Sequence, residues 1–195
     1  MCSAPTENRK QPQPRPGTLQ ATWNLPPAVL INSAGLSRED TTMLDGSTSG
    51  WQEMMNTNVI AVAVFTREAV ASMRKHNTYG HVVNISSMSA YRIPKFAGGG
   101  FYAATKHALR CISDGTRIEA QQENIPLRVS CISPGVVQTE FYLARHEGNQ
   151  EAADAAVKYE ALATSNVVRA ALYALSAPKH VCVDDIIVRS MEQPL

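Results

Sequence analysis

Four short, mostly apolar runs are spaced along this chain: Ala28–Asn32 (AVLIN), His81–Ser86 (HVVNIS), Leu127–Ile132 (LRVSCI) and the β-branched stretch Asp185–Val188. They lack the apolar/polar alternation of a half-exposed strand, so each reads as a strand buried on both faces. Between them lie segments with helical spacing: Gly50 to about Lys75, Tyr102–Gln122, Asn149–Ala161 and Ser165–Ala177. Ser47-Thr48-Ser49 offers N-caps for the first of these. Strands alternating with helices predict an α/β fold, a parallel sheet covered on both faces in the doubly wound manner.

Composition narrows the partners. In 195 residues, 44% hydrophobic and 18% charged, one globular unit with a substantial core is expected. Eighteen Lys and Arg against 17 Asp and Glu leave a formal charge of +1, too little excess to favour nucleic acid or an anionic membrane. No apolar run approaches the roughly 18 residues of a spanning helix, and residues 1–25 lack the apolar centre of a secretory signal. An intracellular, cytoplasmic protein with no membrane partner is expected. Cys2, Cys111, Cys131 and Cys182 are scattered without a CxxC pair and read as reduced core thiols. Six of the 11 prolines fall within residues 1–27, which predicts a disordered tail there and an ordered unit over 28–195.

In open parallel sheets, ligands sit beyond the carboxyl ends of the strands. The segments at those ends are Asn32-Ser33-Ala34-Gly35, Ser86-Ser87 and Ser133-Pro134-Gly135-Val136-Val137-Gln138-Thr139, with Tyr102-Ala103-Ala104-Thr105-Lys106 between the last two. Residues four apart share a helix face, so Lys106 can hold its ammonium near the Tyr102 hydroxyl and favour the phenolate. Tyr91 and Lys95 have the same spacing, but Pro94 would break the helix that aligns them. Ser87 at a strand end can bond a carbonyl oxygen as it gains charge, or can be a loop serine that caps its own turn. Asn58, a poor helix former within a helical segment, calls for either solvent exposure or a specific role. The five histidines show no metal-ligand spacing, and no GxSxG elbow supports a hydrolase. His146 reads as a solvated side chain.

From about Ala28 onward the chain resembles the short-chain dehydrogenase/reductase family. The resemblance rests on NSAG at 32–35, where the family has NNAG, on Asn58 in NTNVIAV, Ser87 in VVNISS, YAATK at 102–106 and SPGVVQT at 133–139. It implies an NAD(P)(H)-dependent oxidoreductase that interconverts a ketone, of steroid or dicarbonyl type, and a secondary alcohol. By the same resemblance Tyr102 is the general acid/base and Ser87 orients the carbonyl. Lys106 binds the nicotinamide ribose and tunes Tyr102, and Asn58 fixes a relay water beside it. Asn32, Ala34, Gly35, Pro134, Gly135, Val137 and Thr139 join Tyr102 and Lys106 in holding the cofactor, NADP(H) with NAD(H) as the alternative. A homo-oligomer is implied as well, through the apolar stripe Trp51–Met73.

Departures from the family pattern set further expectations. Ser33 stands where the family has a second Asn, and Gly98-Gly99-Gly100 reads as a mobile loop between Ser87 and Tyr102. No TGxxxGxG turn precedes Asn32, which predicts a partial sheet lacking the first βαβαβ half, on the order of 60–90 residues. That turn would hold the pyrophosphate, so weak cofactor binding is expected of this chain. The alternative is an N-terminally truncated, non-catalytic product acting, if at all, as an interaction protein.

Overall fold

The computed structural model describes residues 26–194, so the proline-rich segment lies outside the described residues apart from Pro26 and Pro27. Four parallel strands form one sheet in the order β1 (Val29–Asn32), β2 (Gly80–Ile85), β3 (Leu127–Pro134) and β4 (Asp185–Val188). Each is one of the four apolar runs. β3 continues to Pro134 because the Gly135 amide beyond it donates to the Val188 carbonyl, which carries the β4 pairing past a residue that cannot donate. The helices are α1 (Thr48–Met55), α2 (Ala61–Lys75), α3 (Gly99–Gln122), α4 (Phe141–Arg145), α5 (Gln150–Ala155) and α6 (Thr164–Ser176).

Two helical segments differ from expectation, each for a tertiary reason. The segment from Gly50 to Lys75 is divided by a π-turn at Asn56–Ile60, centred on Asn58. Such turns insert one residue into a helix, frequently at functional sites. The segment expected over Asn149–Ala161 ends at Ala155, because the chain there crosses to meet the loop after β3. Leu162 donates to the Val136 carbonyl and accepts from Gln138, so backbone pairing replaces the helix's last turns.

Helices cover both faces of the sheet. On one face Val83, Ile132, Ala170, Ala171 and Ala174 form a core between the sheet and α6. On the other, Asn84 bonds Ser113 of α3, Asn32 bonds Thr66 of α2, and Met73 fills the space that glycine leaves at position 80. The α6 face ends short of β1, whose Val29 and Ile31 remain 45% and 51% exposed. Most of the Trp51–Met73 stripe, namely Met54, Val59, Val62 and Met73, is buried inside the chain, leaving Ile60 and Phe65 outward. That stripe is therefore this domain's own core. Of the three cysteines among the described residues, Cys131 lies in the core, while Cys111 and Cys182 are at the surface, and Cys2 lies outside the described residues. No described helix is long and apolar enough to cross a membrane.

His81 is the second of five consecutive buried residues in β2. Its Nε2 meets Ser130 Oγ at 2.8 Å, but its buried Nδ1 has no partner. Burial and the nearby Arg128 charge push its pKa down to about 4. The unfolded chain takes up a proton near the ordinary value of 6.5, so between those values it binds more protons than the folded one. Stability is therefore present above about 6.5 and lost as pH falls toward 4. We expect a loss of about 2 kcal/mol between pH 7 and pH 5. His81→Gln keeps a donor for Ser130 and should flatten this dependence; urea midpoints at both pH values test it, and equal slopes in the two proteins would reject it.

Candidate active site

Ser87 follows β2 in extended backbone and caps the short turn Met88–Ala90, its Oγ accepting from Ser89 N at 3.0 Å. Tyr102 and Lys106 lie one turn apart on α3 and are only 7% and 4% exposed. The segment between them and Ser87 is clamped, contrary to the expectation of a mobile loop. Gly98 precedes α3 at φ +69, where a Cβ would come within 2.2 Å of the Arg38 carbonyl. The buried Arg145 guanidinium donates to the Ala97 carbonyl and to Ser37 Oγ, and lies 4.1 Å from the Phe96 ring centre.

A cavity of about 480 Å³ opens at the carboxyl ends of the strands. Ser87, Tyr102, Lys106, Gly35, Pro134, Gly135 and Val137 all stand on its wall. Asn32, Ala34, Asn58 and Thr139 do not. The Asn32 amide is turned into the sheet, donating to Asn84 Oδ1 at 2.8 Å and Thr66 Oγ1 at 3.2 Å. Ala34 is exposed and Ser33, the departure from NNAG, takes the wall position. Thr139 is exposed, its Oγ1 accepting from Phe141 N at the start of α4. Tyr91, also off the wall, bonds Asp185 instead.

Asn58 acts through its neighbours. Its Oδ1 accepts from Leu36 N at 2.9 Å, and its Nδ2 donates to the Leu36 carbonyl at 2.8 Å and to Thr105 Oγ1 at 3.1 Å. Thr105 in turn donates to the Tyr102 carbonyl at 2.7 Å. One amide thus joins the loop after β1, the π-turn and the helix turn that presents Tyr102 and Lys106.

Burial governs the electrostatics. It pushes the Tyr102 phenol up to about 12, against the lowering effect of a hydrogen bond with Ser87. The sequence reading assigns a lowered phenol to Lys106 and a cationic nicotinamide together, and burial by the protein alone works against it. Lys106 Nζ instead donates to the Ile85 carbonyl at 3.2 Å and stands 5.8 Å from the Tyr102 ring centre. Burial also brings Lys106 down to about 8, which leaves it mostly protonated at neutral pH.

Several wall and support residues carried no signal in the sequence. Gln193, in the short segment after β4, accepts from Val136 N at 2.9 Å. It packs so closely on Gly135 that a Cβ there would lie 2.0 Å from its Oε1. Arg145 and His146 belong to a segment with no motif. His146 is not solvated: its Nδ1 lies 2.9 Å from Glu39 Oε1, and its side chain is 12% exposed.

A nicotinamide and its ribose fit the residues present. A Cβ at Gly35 would lie 3.3 Å from Lys106 Nζ and 3.4 Å from Asn58 Oδ1, so the missing side chain keeps an approach to the ammonium open. On the same wall the buried Ser86 Oγ has no partner, an orphan that a polar ligand can satisfy.

Comparison with known proteins agrees with this geometry. A family model described as short chain dehydrogenase matches residues 26–175. The chain is 44% identical over 167 residues to dehydrogenase/reductase SDR family member 11 of Bos taurus and 43% identical over 169 residues to that of Homo sapiens. These matches cover 85% of this chain and 65% and 64% of the relatives, so the chain spans less than two thirds of their length. Among solved structures, a closed serine dehydrogenase complexed with NADP+ superimposes with a TM-score of 0.77 at 27% identity, over 93% of this chain and 74% of that one.

Replacing Asn58 by Ala would strand the Leu36 amide and carbonyl in a half-buried setting. The expected loss is about 2–3 kcal/mol of folding stability. Urea denaturation measures it, and a loss below about 0.5 kcal/mol would show that the strut is dispensable.

Proposed function

The chain belongs to the short chain dehydrogenase family, and from that premise we propose that it interconverts a ketone and a secondary alcohol with a nicotinamide cofactor. The observation that carries this reading is the convergence of two hydroxyls, Ser87 and Tyr102, on one cavity with the Lys106 ammonium beside them. When bound, the cofactor supplies or accepts the hydride.

The protein's own groups perform the rest. The Ser87 hydroxyl donates to the carbonyl oxygen and holds it toward Tyr102. A phenol held near 12 by burial stays protonated at neutral pH, so Tyr102 enters the reductive direction as an acid. It delivers its proton to the oxygen as negative charge develops there. In the oxidative direction it must first lose that proton, which the positive charge of Lys106 and of an oxidised nicotinamide would favour. Lys106 would hold the ribose hydroxyls from the side that Gly35 leaves open. Pro134, Gly135 and Val137 would hold the carboxamide, with Gln193 fixing that loop from behind. Because the Asn58 side chain is engaged with Leu36 and Thr105, we assign it to positioning these groups.

NADP(H) is the proposed cofactor, NAD(H) the alternative, and a steroid or dicarbonyl ketone the proposed substrate class. The NADP+ complex of the serine dehydrogenase supports the first choice, and the family resemblance supports the second. A homo-oligomer remains part of the proposal, with the outward Ile60 and Phe65 as its contact.

Tyr102→Phe should lower ketone reduction by about 10²–10⁴-fold, whereas Tyr91→Phe should change it little. Reduction should be nearly flat with pH around neutrality, while oxidation of the alcohol should rise with pH, because only the second direction needs the phenolate. Steady-state rates with NADPH and a panel of steroid and dicarbonyl ketones test this. Equal losses in the two variants would reject the assignment of Tyr102, and absence of turnover with every ketone would favour a non-catalytic protein.

A further inference from the structure

The charged groups on the cavity wall are all of one sign. Arg92, Lys95 and Lys106 contribute to it, and no Asp or Glu among the described residues does. Lys106 is engaged beside Tyr102. Arg92 and Lys95 stand on the segment after Ser87, the same stretch whose Tyr91/Lys95 spacing does not form a helical pair.

Among the described arginines, Arg92, Arg110 and Arg169 lack an ion-pair or carbonyl partner; Arg110 lies over the Tyr91 ring and Arg169 is exposed, and of the three Arg92 is the one on the cavity wall. Arg38, Arg67, Arg74, Arg117 and Arg145 each have a carboxylate within 4.0 Å. Arg128 and Arg189 donate to backbone carbonyls. The half-buried Arg92 guanidinium instead meets the thioether of Met88, with Nη2 3.8 Å from the sulfur. A thioether is a weak acceptor, so most of the five guanidinium donors are left to solvent or to a ligand at the cavity wall. Tyr142 and Tyr159 are further phenols on the same wall. The Arg92 charge is felt at Tyr159, which places the two close together. Hydroxyl donors and free cations without a carboxylate make a surface complementary to an anion and repel no part of it.

We propose that the Arg92–Lys95 end of the cavity is an anion subsite, and that the ketone substrate carries a carboxylate which this end receives while its carbonyl meets Ser87 and Tyr102. The inference rests on the oxidoreductase reading for the second half of that statement, since the carbonyl end is the proposed reaction centre, and it replaces a neutral steroid or dicarbonyl ketone by a keto acid as the substrate class. The anion end stands on its own residues. It makes the substrate bifunctional: a planar, charged group fixed by a guanidinium fork at one end, and a neutral carbonyl at the other. Orientation then follows from charge, because no cation other than the ribose-holding Lys106 stands beside Tyr102 on the wall.

Levulinate and methyl levulinate separate these contributions, because they share a ketone and differ in the negative charge. Ligand-observed NMR titration of the 195-residue chain with each is the experiment. Levulinate should bind about tenfold more tightly than its ester at low ionic strength. The preference should shrink in half-molar salt. It should disappear in the Arg92→Gln/Lys95→Gln double variant and survive in part in Arg92→Lys. Equal affinity of acid and ester, no binding of either, or a preference that persists in the double variant would each overturn the proposal. A parallel titration with NADPH keeps the two readings apart. An acid preference in a protein that takes no NADPH would retain the anion subsite and reject the oxidoreductase reading, whereas NADPH binding with no acid preference would do the reverse.

Discussion

The side-chain amide of Asn58 is the interaction on which the geometry of the cavity depends. It bonds both the N–H and the C=O of Leu36, as another backbone strand would, and spends its remaining proton on Thr105. Three elements far apart in sequence thereby acquire a fixed spacing: the loop after β1, the π-turn and the first turns of α3. An amide can do this because it carries a donor and an acceptor in one rigid plane. The extra residue of the π-turn accompanies Asn58 at the point where it meets the Leu36 backbone. Gly35, Tyr102 and Lys106 inherit their mutual positions from that junction.

A polar relay does similar work inside the sheet. Asn32 bonds Asn84, and Asn84 bonds Ser113, whose hydroxyl also accepts from the Cys131 thiol. These groups are buried, so each bond made in the folded state avoids the cost of an unpaired polar atom. The relay ties β1, β2 and β3 to α3 on the face opposite α6. It also engages Asn32, for which the family resemblance implies a cofactor contact: its side-chain amide is held inside the sheet. At the active site the same low-polarity surroundings raise the Tyr102 phenol and lower the Lys106 ammonium, since each neutral form is favoured.

The substrate side is assembled differently. Arg145 crosses from α4 to Ser37 and Ala97, and its guanidinium lies against the Phe96 ring. The segment that carries Arg92 and Lys95 is thus held between Ser87 and a buried arginine. Gln193 does the equivalent for the loop after β3, reaching back from beyond β4 to the Val136 amide. Both contacts replace mobility with hydrogen bonds to backbone groups, which is how an irregular loop can present side chains in a defined place.

The four strands, the helices that alternate with them, and the placement of Ser87, Tyr102 and Lys106 near the strand ends were legible in the sequence. Apolar runs and four-residue helical spacing are local patterns, and the carboxyl-end rule of parallel sheets converts them into positions around a crevice. Tertiary structure alone decided the π-turn, the early end of α5, the inward turn of Asn32 and the rise of the Tyr102 pKa. It also brought Gln193 to Val136 across 57 positions and Arg145 to Ser37 across 108. Such pairings leave no trace in local periodicity, because they depend on where two distant segments meet once the core has closed. The pKa shifts have the same origin: whether a neighbouring cation or burial prevails is set by how much surrounding chain excludes water from the two groups.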